Sequence, residues 1–163
     1  MEKFQNMGLS ESTLHAISSK GYNEPTAIQE MVIPFLLSGE SNVIGQAQTG
    51  TGKTAALGIP MIEKLKEKAG YVQALVLTPT RELAVQVCEE LDSLKGNKKL
   101  KVISIYGGVS ISEQIRALKK HVDIVVGTPG RIIDHLNRGT LDISNIEYLI
   151  IDEADEMLDM GFI

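Results

Sequence analysis

The chain of 163 residues contains a single cysteine, Cys88, so an internal disulfide is impossible and nothing points to a Cys-rich zinc site. That excludes a small secreted scaffold held by bridges. No apolar run approaches the ~20 residues of a membrane-spanning helix. The opening Met1-Glu2-Lys3-Phe4 also lacks the apolar stretch of a signal peptide. These absences lead us to expect a cytoplasmic chain with no membrane partner. Basic residues are in deficit too: 16 Lys and Arg face 21 Asp and Glu, a net charge of −5. Such a balance disfavours nucleic-acid binding driven by a broad cationic surface. With 43% hydrophobic and 23% charged residues, the composition is that of a folded domain rather than a disordered segment. The length fits one domain with a real core.

What is present is a repeated pattern. Five short segments are rich in β-branched and aliphatic residues: Asn42–Ala47, Gln73–Thr78, Lys101–Gly107, Asp123–Thr128 and Tyr148–Asp152. They are near-continuous apolar runs rather than alternating ones, the pattern of strands buried on both faces of a parallel sheet. Segments with helical spacing lie between them. In one, Leu83, Ala84, Val87, Cys88 and Leu91 form an apolar stripe opposite Glu82, Glu89, Glu90 and Asp92. Cys88 therefore reads as packing rather than as a reactive thiol. Alternation of strands and helices predicts an α/β fold, a mainly parallel sheet flanked by helices. Two further helices are expected ahead of the first strand. One spans Ser10–Ser19 with Ser10 as N-cap; the other starts at Thr26 after Pro25 and is bent or ended by Pro34.

Ala47-Gln48-Thr49-Gly50-Thr51-Gly52-Lys53-Thr54 follows the first expected strand and opens a helix. It has the form of a phosphate loop, except that Ala47 stands where the first glycine is expected. Gly50 and Gly52 let backbone N–H groups converge on an anion, and the following helix N-terminus adds its dipole. Lys53 is placed for the terminal phosphates and the Thr54 hydroxyl for Mg²⁺. At the end of the last expected strand, Asp152-Glu153-Ala154-Asp155 supplies carboxylates. Asp152 is the candidate to hold Mg²⁺, and Glu153 to orient and deprotonate an attacking water. A solvated acidic helix start is the plainer reading of the same residues.

The segments Thr78-Pro79-Thr80-Arg81 and Thr128-Pro129-Gly130-Arg131 are two copies of one pattern, fifty residues apart, each leaving a strand for a helix. An arginine in a first helical turn opposes the helix dipole, so its recurrence calls for an anionic partner. Gly107-Gly108 ends the strand between them and leaves room for another backbone. All three lie at carboxyl ends of strands, where open α/β sheets bind ligands. One nucleotide cannot fill a phosphate loop and two further phosphate sites, whereas a nucleic-acid backbone can. Ordinary turn chemistry with salt-bridged arginines is the alternative for either copy. Lys95, Lys98, Lys99 and Lys101 precede a strand, on the opposite edge, and read as a solvated turn.

Taken together, these residues resemble the DEAD-box ATP-dependent RNA helicases along nearly the whole chain. The matches are Asp152–Asp155, Ala47–Thr54, Pro79-Thr80-Arg81-Glu82-Leu83-Ala84, Gly107-Gly108, Thr128–Arg131 and the trailing Met160-Gly161-Phe162. Upstream, Gly21-Tyr22-Asn23-Glu24-Pro25-Thr26-Ala27-Ile28-Gln29 is similar to the family's adenine-recognition motif, with Tyr22 where Phe is more common. Phe4, seventeen residues before Gly21, matches an aromatic that stacks on adenine. The resemblance implies a RecA-like phosphate-loop domain over residues 1–163, with residues 1–30 as the adenine-recognition region. It implies ATP and Mg²⁺ as cofactors, bound by Phe4, Tyr22, Thr26, Gln29, Gln48 to Thr54 and Asp152. Lys53, Asp152 and Glu153 would carry hydrolysis, and Asp155 would link the ATP site to neighbouring motifs. Pro79, Thr80, Arg81, Gly107, Gly108, Thr128, Pro129, Gly130 and Arg131 would grip an RNA sugar-phosphate backbone. Gln29 would read the adenine edge and select ATP over GTP; Thr26-x-x-Gln29 is also a helix capping box, and as Gln29 cannot fully serve both roles, adenine recognition is the expectation.

The family also has a second RecA-like domain bearing arginine fingers, and a Ser-Ala-Thr motif after the acidic segment; neither has a counterpart before Ile163. We therefore expect a C-terminally truncated first domain that is marginally stable alone or completes its sheet with another segment or chain, and that is nearly inactive by itself. An ATP-gated RNA clamp is the competing reading from a different class. A DNA translocase or small-molecule phosphotransferase would leave Gln29 and the repeated Thr-Pro-x-Arg unexplained.

Overall fold

A computed structural model of the protein describes residues 1–39, 42–44 and 52–161. The chain folds as two compact units, one made of Met1–Lys66 with Glu90–Lys99, the other of Glu67–Glu89 with Leu100–Ile163. The second unit holds the sheet: β1 (Ala74–Leu77), β2 (Val102–Ile105), β3 (Ile124–Gly127) and β4 (Tyr148–Ile151), in the order β2-β3-β1-β4. Every pairing is parallel, as the unbroken apolar runs predict; Leu75 is level with Val125 and Leu149, and Ile105 with Gly127. The interior strands β1 and β3 are almost wholly buried. Each strand is shorter than its apolar run because the flanking residues turn into loops. Leu75, Val125 and Ile105 pack with Val122, Ile132 and Leu141 in the core. Burial of one such side chain contributes about 1.5–3 kcal/mol.

Helices follow the strands: α5 (Arg81–Leu94) after β1, α6 (Ile111–Lys119) after β2, α7 (Pro129–Arg138) after β3 and α8 (Ala154–Asp159) after β4. At the amino-terminal edge of the sheet, Asp123 is fully buried. Its carboxylate accepts from the Gln73 amide at 2.9 Å and from the Lys101 backbone N–H at 2.8 Å, with His121 Nε2 2.9 Å away. Its carbonyl accepts the N–H groups of Gln73 and Ala74. One side chain thus ties together the residues that lead into β1, β2 and β3.

The first unit contains α1 (Glu2–Gln5), α2 (Glu11–Ser19), α3 (Ala27–Ser38) and α4 (Lys53–Lys64). Ser10 caps α2 by accepting the Thr13 N–H, and Thr26 caps α3, both as expected. Pro34 does not end α3, which continues to Ser38. Its ring lies on the exposed side, where water can satisfy the carbonyl that loses a donor, while Val32 and Ile33 stay buried. Among the described residues the expected strand at 42–47 is not formed. Asn42–Ile44 are irregular, Ile44 is 97% exposed and so lacks the packing a buried strand needs, and 45–47 lie outside the described residues.

The lysine run is also more than a solvated turn. Lys98 Nζ donates to the carbonyls of Ile62 at 2.8 Å and Glu63 at 3.0 Å, capping the C-terminus of α4. Lys95 pairs with Asp92 at 2.7 Å.

Replacing Asp123 with Ala leaves buried donors without an acceptor and should lower the unfolding free energy by about 3 kcal/mol. Urea denaturation measures it; a loss within about 0.5 kcal/mol, the level of a neutral surface change, would remove Asp123 as the tie between strands.

Candidate functional site

Parallel pairing puts four loops on one edge of the sheet. In sheet order they are Tyr106-Gly107-Gly108 after β2, Thr128–Arg131 after β3, Thr78–Arg81 after β1 and Asp152–Asp155 after β4. Each loop has a local reason for its shape. The Thr80 hydroxyl accepts the Leu83 N–H at 3.2 Å and so caps α5, with Arg81 as the first helical residue. Thr128 and Pro129 start α7, proline occupying a first-turn position where its missing N–H costs nothing. Gly108 takes a φ of +82°, and a side chain there would sit 3.5 Å from the Arg81 guanidinium. The loop needs glycine.

Both arginines are held without losing their charge. Arg81 is exposed and lies over the Tyr106 ring, 5.8 Å from its centroid. Arg131 donates from both terminal nitrogens to the Val109 carbonyl at 3.2 Å and from Nη1 to Gln114 Oε1 at 3.0 Å. Nearby Asp134 is taken by Arg138 at 2.9 Å. Among the described residues no carboxylate pairs with Arg81 or Arg131, so the salt-bridged alternative does not apply to them.

Three contributors escaped the sequence reading: Tyr106, Gln114 and His135. Tyr106 carried one cue, its position directly ahead of Gly107-Gly108. Gln114 and His135 look like ordinary helix residues, yet both are buried. Gln114 Nε2 donates to the Tyr106 carbonyl at 2.9 Å, and its Oε1 lies 2.9 Å from His135 Nε2. His135 Nδ1 is 2.7 Å from the Thr140 hydroxyl. Burial first, then the positive charge of Arg131, with Arg138 acting alike and Asp134 opposing, holds the imidazole below its ordinary 6.5.

At the end of β4, the Asp152 N–H donates to the Leu77 carbonyl at 2.9 Å, which anchors the turn to β1. Glu153 adopts φ +54°, ψ +47°, a left-handed conformation that costs a non-glycine residue about 1–2 kcal/mol. Such strain persists where the surroundings impose it, and it concentrates at functional positions. Asp155 follows on α8 and is exposed.

In the other unit, Gly52 is the left-handed N-cap of α4 at φ +83°, and Lys53 and Thr54 form the first turn of the helix, at the positive end of its dipole. Gln48, Thr49, Gly50 and Thr51 lie outside the described residues. Gln29 is buried and does two things at once. Its Oε1 accepts the Thr26 N–H at 3.0 Å, completing the capping box, and its Nε2 donates to the Gly52 carbonyl at 3.3 Å. A side chain at Gly52 would collide with that amide. The Tyr22 hydroxyl donates to Glu90 at 2.9 Å, and burial together with Glu90 pushes the phenol up to about 12. Lys20 pairs with the same carboxylate at 2.9 Å. Phe4 is fully buried and presents no open face to a ligand in this conformation.

Metal binding has to be judged from donor chemistry. Among the described residues no three His, Cys, Asp or Glu side chains form a cluster. Mg²⁺ does not need one; it keeps several waters and takes one or two protein oxygens plus phosphates, and Thr54 and Asp152 are oxygen donors of that kind.

A parallel sheet flanked by helices, with arginine-bearing turns at its exit edge, and a glycine-capped helix opening on Lys-Thr are those of a RecA-like domain of the phosphate-loop NTPase class. Within that class the chain belongs to the DEAD/DEAH box helicase family, which it matches over residues 26–163. It is 58% identical, over 98% of its length, to a probable ATP-dependent RNA helicase of Methanocaldococcus jannaschii, of which it covers 43%. It is 56% identical over its whole length to the ATP-dependent RNA helicase CshA of Listeria monocytogenes, covering 31% of that protein. The crystal structure of a DEAD box protein from Methanococcus jannaschii superposes with a TM-score of 0.93 at 56% identity, over 98% of this chain and 44% of that one. A hypothetical ATP-dependent RNA helicase from Sulfolobus tokodaii gives 0.85 at 41% identity, over 94% of this chain and 44% of that one. The chain therefore spans 31–44% of the length of these relatives.

The lowered His135 pKa has a definite sign. The unfolded chain binds a proton near pH 6.5 and the folded chain only at lower pH, so this contribution is complete above about 6.5 and is lost as pH falls below it. Urea midpoints measured between about pH 7.5 and about pH 5.5 should fall for the parent and fall less for His135→Gln; parallel curves would show that His135 does not contribute.

Proposed function

We propose that this chain is the ATP-binding part of an ATP-dependent RNA helicase, coupling Mg-ATP binding and hydrolysis to RNA binding and separation of short duplexes. The observation that carries this reading is the sheet edge, where two arginines with no carboxylate partner among the described residues stand beside Gly107-Gly108. Family membership and the names of the relatives support the same reading.

In the proposed mechanism, Gln48 to Thr51 and the start of α4 at Gly52, Lys53 and Thr54 take the ATP phosphates on backbone N–H groups and one ammonium. Thr54 and Asp152 would hold Mg²⁺, which supplies electrostatic stabilisation of the phosphates when bound. Glu153 orients the attacking water and accepts its proton; the strained backbone at this residue supports a role that fixes the carboxylate in one direction. Gln29, with Tyr22 and Thr26, recognises adenine, and Phe4 stacks on the base after a movement that uncovers its ring. Arg81 and Arg131, with Thr80, Gly107, Gly108, Thr128 and Gly130, bind RNA phosphates and sugars while Pro79 and Pro129 shape the turns. A second RecA-like domain closes on both ligands and supplies arginine fingers, worth ~10³–10⁵ in rate in related NTPases. By this reading the 163-residue segment alone hydrolyses ATP poorly.

Two substitutions in the full-length protein test the assignments. Glu153→Gln should bind ATP as tightly as the parent while RNA-stimulated turnover drops by about 10²–10⁴. Retained turnover would remove Glu153 as the base. Gln29→Ala should weaken ATP binding by more than about tenfold while costing only about 1 kcal/mol of stability for the lost cap. Equal losses in a thermal melt and a nucleotide titration would leave Gln29 as a cap alone.

A further inference from the structure

We infer that Gln114 is a positioning residue of the RNA-backbone interface: it presents Arg131 to a phosphate and ties that arginine to the turn at Tyr106–Gly108. The inference rests on the RNA reading of Arg131 proposed above.

Chemistry leaves one orientation for the Gln114 amide. A carbonyl only accepts and a guanidinium only donates, so Nε2 faces the Tyr106 carbonyl at 2.9 Å and Oε1 faces Arg131 at 3.0 Å. His135 Nε2, 2.9 Å from the same oxygen, must then be the protonated ring nitrogen, with Nδ1 turned to the Thr140 hydroxyl at 2.7 Å. Gln114 is therefore locked by α7 on one side and by the end of β2 on the other.

The choice of a neutral side chain matters for Arg131. Its partners are the Val109 carbonyl and the Gln114 amide, which orient the guanidinium without cancelling its charge. Those bonds use three of the five guanidinium N–H groups; Nε–H and one hydrogen on Nη2 are left to face a ligand. A carboxylate in place of the amide would hold the arginine equally well and neutralise it. Tyr106 carries the arrangement further, because its ring lies beneath Arg81 at 5.8 Å. Gln114 is thus the link through which the arginines of α5 and α7 share one support. It touches no ligand itself.

The test uses the full-length protein and a short single-stranded oligouridylate, with affinity measured by fluorescence anisotropy across a salt series. Nucleotide titration and a thermal melt run alongside. Gln114→Glu should lose about tenfold in RNA affinity at low salt, and the slope of log affinity against log salt should shrink by about 0.7, one phosphate contact on a single strand. Arg131→Ala should give the same slope change, and the double variant should lose no more than either alone. Gln114→Met fills the space without holding the guanidinium; it should weaken RNA binding several-fold, keep ATP affinity, and serve if the Glu variant does not fold. An unchanged slope for Gln114→Glu where Arg131→Ala reduces it would overturn the inference. So would a Met variant that loses RNA and ATP affinity equally, the mark of a purely structural role. An Arg131→Ala protein with parental affinity and slope would instead sink the RNA reading of Arg131 itself.

Discussion

Parallel pairing governs nearly everything else in the sheet-bearing unit. Parallel strands cannot be joined by tight hairpins, so each connection crosses back through a helix, and every strand enters at one edge and leaves at the other. With β2-β3-β1-β4 all running the same way, the four exit loops are neighbours although their residues span positions 78 to 155. The entry edge carries a different burden. Asp123, buried and accepting from both Gln73 and Lys101, holds the strand starts in register.

Electrostatics at the exit edge follow from how the arginines are partnered. Net charge is −5, and a uniformly basic surface is absent. Arg81 and Arg131 nevertheless keep their full charge because an aromatic ring, a backbone carbonyl and an amide hold them. Orientation by neutral groups reduces the conformational freedom an arginine must lose on binding. It also places two positive charges beside Gly107-Gly108 in a protein whose overall balance is acidic.

Much of this was legible from the residues. The apolar runs gave four strands to within a residue or two, and Ser10 and Thr26 are the caps their side chains predicted. The repeated Thr-Pro-x-Arg was visible because an arginine in a first turn is locally unfavourable and so asks for a partner. Other features were misread or missed for physical reasons. Of the two outcomes expected at Pro34, a bend or an end, the end does not occur: an exposed ring lets water replace the lost bond while its neighbours stay packed. Lys98 looked like part of a solvated run and instead caps α4, a contact with residues more than thirty positions away. From sequence Gln29 faces a choice between cap and ligand; in the structure its Oε1 completes the cap and its Nε2 donates to the Gly52 carbonyl, a contact across more than twenty positions.

The sequence by itself determined the class of fold, the caps and the identity of the residues at each strand end, since these depend on periodicity and on neighbours a few positions apart. Strand order, and with it which loops meet, was decided only by tertiary structure, because parallel pairing joins segments that share no local signal. The same holds for Gln114 and His135. Their importance comes from burial against Tyr106, Arg131 and Thr140, and a polar residue on a helix does not reveal in sequence which side chain it will face.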